Sequence, residues 1–246
     1  MSYLKAAHKI EEASFSKIQE IIDQEHPDIH FSDPFEEAVL KRVVFTSADF
    51  DYLYNIKFSN QVIEKILYVL RNKGTIFTDT TMVLGGFNKK LLDDLGVSYR
   101  CLVNEPEIFK EAKEKGITRS MAAVEYSAKV DGPKLFVFGN APTSIFKVLD
   151  MVEEGSLQPD AVVGVPVGFV GAAESKLKLH ESSVPSIAAL GQKGGGIIAA
   201  AVINASASRE CPFSASTTRV NTRPLLRLPL AASCWENSLE IAETFV

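Results

Sequence analysis

The sequence is poor in the residues that build metal centres, disulfide scaffolds and membrane spans. It holds three cysteines, Cys101, Cys211 and Cys234. Their odd number and irregular spacing fit neither a disulfide framework nor a zinc motif, and suit a reducing cytosol. The four histidines, His8, His26, His30 and His180, are scattered without ligand spacing, so no metal is expected. No apolar run approaches the length needed to cross a bilayer. Met1 to Ile10 carries charges in place of the apolar segment of a secretion signal, and a cytoplasmic setting is expected. Basic residues do not predominate: 26 Lys and Arg stand against 31 Asp and Glu, a net charge of −5. A general nucleic-acid binder needs cationic excess to meet phosphates, so that class is disfavoured. A small anionic ligand is not, because a local cluster of donors suffices. The Gly-x-x-x-x-Gly-Lys-Ser/Thr loop of nucleotide phosphate binding is absent, and so is Gly-x-Gly-x-x-Gly after a first strand.

What is present is an alternation of strand-like and helix-like segments within 246 residues, enough for one domain with an extension. Thr75–Asp79, Tyr99–Val103, Lys134–Phe138, Ala161–Val165 and Ser186–Leu190 read as short strands. Their apolar runs are nearly continuous, which predicts strands covered on both faces. Between them lie helices. One runs from a cap at Ser59 through Ile63, Ile66, Leu67 and Leu70 to Gly74. A second is capped by Asn88 and closed by Gly96. A third opens at Thr143, carries Ile145, Val148, Leu149 and Val152 at helical spacing, and ends at Gly155. Ser120 opens another, and Ile197–Asn204 continues the rhythm. The first sixty residues read as mostly helical, with an apolar stripe through Ile10, Phe15, Ile18, Ile21 and Ile22. Alternating β and α units predict a parallel sheet with helices on both faces. Residues 1–205 form the expected domain. From Ser206 to Val246 the text changes to a Ser, Thr, Arg and Pro mixture with the one tryptophan, Trp235, and a single late helical stretch at 238–245. This part is expected to be poorly ordered or foreign to the domain.

Open α/β sheets bind ligands at the carboxyl ends of their strands. The loops there are Thr80-Thr-Met-Val83, Gly139-Asn-Ala-Pro-Thr143, Pro166 to Lys176, and Gly191-Gln-Lys-Gly-Gly-Gly196. Gly139 lets backbone approach a ligand, Asn140 can donate and accept, and the helix start at Thr143 favours an anion. Gly168, Glu174, Ser175 and Lys193 sit in the next two loops. A single glycine loop is as often a tight connection as a ligand cradle. Three in one chain point to a ligand with several anionic groups. Arg119 and Arg42 each suit a bidentate carboxylate clamp, and each equally suits a solvated surface. Asp49 and Asp51 form a carboxylate pair too generic to assign.

Taken in order, Asp79-Thr-Thr-Met-Val83, Thr118-Arg-Ser120, Gly139-Asn-Ala-Pro-Thr143, Gly164-Val-Pro-Val-Gly-Phe-Val170 with Glu174-Ser-Lys176, and Gly191-Gln-Lys-Gly-Gly195 resemble the signature blocks of the precorrin-8X methylmutase family, across about Ile10 to Asn204. The resemblance implies an α/β/α sandwich, a homodimer with its site near the subunit interface, and a transfer without cofactor in which a methyl group moves from C-11 to C-12 of a corrin precursor. The product would be hydrogenobyrinate or its cobalt counterpart. Such a ring is flat and edged with carboxylates, which fits the loops above. The resemblance also makes Ser14, of the pair Ser14-Phe15, and Arg42 substrate contacts. Thr80, Arg119, Ser120, Gly139, Asn140, Thr143, Gly168, Glu174, Ser175 and Lys193 complete the expected binding set.

The sequence departs from the family pattern at two places. Arg42-Val-Val-Phe45 carries phenylalanine where the family carries a histidine placed to exchange protons, and Thr81 stands where many members have asparagine or a charged residue. Phenylalanine cannot exchange a proton. Thr46, Asp49 or Tyr52 could replace it, or binding and strain could suffice. The chain could also hold a tetrapyrrole without converting it. An unrelated α/β enzyme acting on a small phosphate or carboxylate is the remaining reading.

Overall fold

The computed structural model of the chain describes residues 7–210. Cys211, Cys234, Trp235 and the helical stretch expected at 238–245 lie outside the described residues. Two helices come first, α1 (Ala7–Glu25) and α2 (Pro34–Ser47). The start of α2 is set locally: Asp33 accepts from the Phe35 and Glu36 amides, and Pro34 sits where a missing N–H costs nothing. After the single turn α3 (Tyr52–Asn55) come six strands: β1 (Ile56–Ser59), β2 (Thr75–Thr78), β3 (Ser98–Cys101), β4 (Lys134–Phe138), β5 (Ala161–Gly164) and β6 (Ser186–Ala189). They pair in the order β1-β6-β5-β4-β2-β3, parallel except for β1 against β6.

The helices between strands are α4 (Val62–Arg71), α5 (Thr81–Gly86), α6 (Lys89–Asp94), α7 (Pro106–Lys115), α8 (Arg119–Ala128), α9 (Pro142–Glu153), α10 (Ala172–Glu181) and α11 (Gly196–Glu210). They form two layers. Ile76, Leu135, Val137 and Val163 point to a core shared with α2, α4 and α11. Phe77, Phe136, Phe138 and Val162 point to a second core shared with α7, α8, α9 and α10. Period-two alternation thus sends neighbouring side chains of each strand to opposite cores. Each fully buried Leu, Phe or Val contributes roughly 1.5–3 kcal/mol, so the four buried residues of β4, Leu135 to Phe138, alone outweigh many surface contacts. The α/β/α sandwich expected above is what the chain forms.

The departures from expectation have local causes. Ser59 caps no helix; it closes β1, and its Oγ lies 2.7 Å from Nδ1 of His180. The turn into α4 is made instead by Asn60 and Gln61, both at positive φ. That short antiparallel edge strand was hidden in a region read as helical. Lys73, not Gly74, takes the left-handed conformation. Gly74 is glycine because a Cβ there would meet Val69 Cγ1 at 2.6 Å and the Pro133 carbonyl at 2.7 Å. Asn88 and Gly96 bracket α6 as expected. Thr143 is not the first residue of α9; Ala141 and Pro142 precede it. Finally, α11 runs through Glu210, past the boundary read at residue 205. Ser206 and Ala207 are buried, and Glu210 pairs with Arg71.

Candidate functional site

Between β2 and β4 the chain changes direction across the sheet: β2 leads outward to β3, while β4, β5 and β6 follow on the other side. Loops leaving two such strands diverge and open a crevice at their carboxyl ends. Here Asp79, the residue after β2, reaches into the turn after β4. Its Oδ1 accepts from the Gly139 amide at 3.1 Å, and its Oδ2 from the Asn140 and Ala141 amides at 2.7 and 2.6 Å. Burial pushes the Asp79 carboxyl above its usual range, and the three amides offset part of that rise. Gly139 was expected to let backbone approach a ligand and the helix start at Thr143 to favour an anion; the amides of Gly139, Asn140 and Ala141, just before that helix, are taken by the chain's own Asp79 carboxylate. Asn140 still presents its exposed side chain. Gly139 is required by packing: a Cβ would stand 2.6 Å from Gly196 Cα.

Beside this turn three hydroxyls meet. Thr118 caps α8 through the Met121 amide, and lies 3.0 Å from Ser120 and 3.2 Å from Thr143; Ser120 and Thr143 are 3.0 Å apart. Sequence reasoning named Ser120 and Thr143 but not Thr118 as a site residue, although a Thr-x-Ser pair opening a helix was visible. Arg119 is exposed at the same corner, over the Phe109 ring at 5.5 Å and 3.5 Å from Asn104 Oδ1. Among the described residues no carboxylate pairs with it. Its guanidinium is therefore open to an acidic ligand. Thr80 caps α5: its hydroxyl accepts from the Val83 amide, which leaves its O–H to donate.

The loops after β5 and β6 are tied together by backbone. Gly195 donates to the Val165 carbonyl at 2.8 Å, and Gly168 to the Gln192 carbonyl at 3.1 Å. A Cβ on Gly194 would lie 2.1 Å from the Val165 oxygen. Beneath them Lys176 is wholly buried, and its Nζ donates to the Lys193 carbonyl at 2.7 Å. Burial lowers its pKa to about 8. Lys176 belongs to the Glu174-Ser-Lys176 block, but a sequence does not show that a lysine points inward. Lys193, the one cation of its loop, is shared between Asp49 at 2.5 Å and Asp51 at 2.6 Å. That bond to Lys193 keeps the Asp49 carboxyl below its usual range, against the opposing effect of burial. Tyr52 beside it is buried, and burial raises its pKa. Glu174 is exposed on the first turn of α10, but Ser175 is buried with its hydroxyl on the Ala172 carbonyl at 3.0 Å, so it faces away from any ligand.

Ser14 and Arg42 lie on the helical layer. Ser14 Oγ returns to the Ile10 carbonyl at 2.7 Å. Arg42 pairs with Glu11 at 2.7 Å and covers the rings of Phe15 and Phe45, which stack at 5.3 Å. Thr46, on the same stripe, bonds back to the Arg42 carbonyl. The Asp49–Lys193 pair, just past the end of α2, joins this corner to the strand-end loops. Around those loops stands an exposed apolar rim: Met82, Val167, Phe169, Val170 and Ile197, with Phe169 and Val170 84% and 89% exposed.

Comparison with known proteins supplies the remaining observation. A family model described as precorrin-8X methylmutase matches residues 9–209. The cobalt-precorrin-8 methylmutase of Salmonella typhimurium is 48% identical over 206 residues, 83% of this chain and 96% of that protein. The cobalt-precorrin-8 methylmutase of Methanocaldococcus jannaschii is 35% identical over 203 residues, 82% of this chain and 91% of that one. Among solved structures, a precorrin-8x methyl mutase from Thermus thermophilus superposes with a TM-score of 0.70 at 33% identity, covering 80% of this chain and 95% of that one.

Proposed function

The chain belongs to the precorrin-8X methylmutase family, a family of isomerases, and on that premise we propose that its own substrate is cobalt-precorrin-8, whose methyl group it moves from C-11 to C-12. The observation that carries the reading is the 48% identity to the Salmonella typhimurium enzyme across 96% of that protein's length. Its choice of the cobalt form follows from that relative and the Methanocaldococcus jannaschii one.

The geometry supports a flat, carboxylate-edged ligand. The apolar rim of Met82, Val167, Phe169, Val170 and Ile197 suits the face of a macrocycle. Arg119, free of carboxylates, suits one edge group, and the Asn140 amide another. Arg42 reaches substrate only by exchanging Glu11 for a substrate carboxylate. Gly168, Glu174, Ser120 and Thr143 frame the same loops, and Ser14 stands with Arg42. The migration is intramolecular, so what the chain supplies is placement and electrostatics.

Phe45 makes proton exchange at that position unavailable. Asp49 is held ionised by Lys193 and acts as an acceptor, while Tyr52 stays neutral but buried. Thr46 is exposed, but its hydroxyl donates to the Arg42 carbonyl. The reading is therefore one of catalysis by placement, with no side chain assigned as proton donor. We further propose that the active form is a homodimer, because so apolar a rim is better covered by a second copy around the bound ring than by water. A cytoplasmic setting is proposed with it; among the described residues no helix is long and apolar enough to cross a membrane. The test is incubation with cobalt-precorrin-8 and with precorrin-8X under anaerobic conditions. Conversion of the cobalt form is expected. Tight binding of both without conversion would make the chain a carrier.

A further inference from the structure

Beneath the crevice between β2 and β4 lies a cavity of ≈ 10 Å³, lined by Thr78, Asp79, Ser120 and Ser144 among the aromatic and aliphatic side chains of β2, β4 and α8. That is about the space one water molecule requires, and the lining offers it polar partners. Ser144 is 1% exposed, and among the described residues its Oγ is the buried side-chain oxygen without a hydrogen-bond partner. An orphaned hydroxyl in such a place calls for a partner that a water would supply.

The same cavity holds Asp79, whose carboxylate gathers the amides of Gly139, Asn140 and Ala141. Oδ2 takes two of these bonds and Oδ1 one, so Oδ1 is the less engaged of the two oxygens. We propose that Asp79 is a positioning residue of the candidate site: with one water lodged between it and Ser144, it fixes the turn that carries Asn140 and the first residues of α9. The proposal rests on the reading of that turn as part of the substrate site.

Three amides converging on one carboxylate define the turn more tightly than the loop's own backbone could. Pro142 has no N–H, and the Ser144 amide bonds the Ala141 carbonyl, so neither competes with the three amides for the Asp79 carboxylate. The turn in turn sets Thr143, and through it the Ser120 and Thr118 hydroxyls. Few charges face this arrangement. Among the described residues no other ionisable group lines the cavity. Next to it Cys101 on β3 bonds Thr78 and is raised mainly by burial; beyond it stand Glu105 and its partner Arg100.

The test uses the full chain, isotopically labelled. The Asp79 side-chain carbon and the amides of Gly139, Asn140 and Ala141 are followed against pH. One shared titration is expected, and Ser144→Ala should shift it by removing the water's second anchor. Three amides that respond independently, or a titration indifferent to Ser144→Ala, overturn the proposal. Asp79→Asn keeps one oxygen for two of the amides and turns an NH2 against the third; kcat on cobalt-precorrin-8 should fall about 100-fold with KM changed far less. An Asp79→Asn protein that folds with unaltered kcat also overturns it. Should that variant not fold, the titration in the unaltered chain still decides. Should the unaltered chain not convert the corrin substrate, the titration decides about Asp79 while the failure falls on the functional reading alone.

Discussion

At Lys176 burial strips the ammonium of water and lowers its pKa from the ordinary 10.5 to about 8. In the unfolded chain the same group loses its proton near 10.5. Between those values the unfolded state binds more protons, so stability rises with pH. The cost of holding a buried charge is full below about pH 8 and fades above it. Lys176→Met should flatten this rise, read by urea unfolding of both proteins at several values from pH 7 to 10. Equal slopes would mean that Lys176 is hydrated in solution. At Arg42 two roles separate. Its pair with Glu11 is partly exposed and worth about 0–1 kcal/mol. Arg42→Ala should therefore barely move Tm but raise KM about tenfold or more, a loss of about 1.4 kcal/mol in binding. An unchanged KM removes Arg42 from the site. Phe45→His preserves a flat ring against Phe15 and adds an exchangeable proton. It is expected to leave kcat unchanged or raise it, by up to about 10²-fold; lost substrate binding with an intact fold would take residue 45 out of the cleft.

At the scale of elements, the loops after β4, β5 and β6 share backbone contacts that tolerate no side chain. Gly194→Ala places a Cβ against the Val165 carbonyl. About 2 kcal/mol of strain is expected, a fall in Tm of about 4–8 °C, checked by thermal unfolding. Five of the six strands were legible in the sequence; β2, β4, β5 and β6 carry apolar runs because they are buried on both faces, while β3 at the other edge is only partly buried. The edge strand β1 was not legible: four residues, one face only partly buried, set between helices, carry no such run. The site was legible at the level of loops and illegible at the level of partners. Gly139, Asn140, Ser120, Thr143 and Lys193 do stand at the strand ends. That Asp79 fills the turn, that Lys193 is claimed by Asp49 and Asp51, and that Ser175 points inward depend on contacts 60 to 144 residues apart in sequence or on which way a helix faces. No local pattern encodes those. The family blocks conveyed the ligand class where physical reading of single residues left it open.

For the whole molecule, the account joins a sandwich whose carboxyl-end loops are rigidly cross-tied to an apolar rim with a few unclaimed polar groups. Such a surface suits a large flat ligand and a second copy together. The homodimer should persist at micromolar concentration in analytical ultracentrifugation, and Phe169→Glu should shift it toward monomer. A monomeric unaltered chain would count against the shared rim. The most direct test of the central claim is the absorption spectrum of cobalt-precorrin-8 incubated anaerobically with the purified chain. The account predicts a catalytic change to the spectrum of the rearranged cobyrinate, with far more product than protein. An unaltered substrate spectrum, with the protein folded and substrate bound, would contradict it.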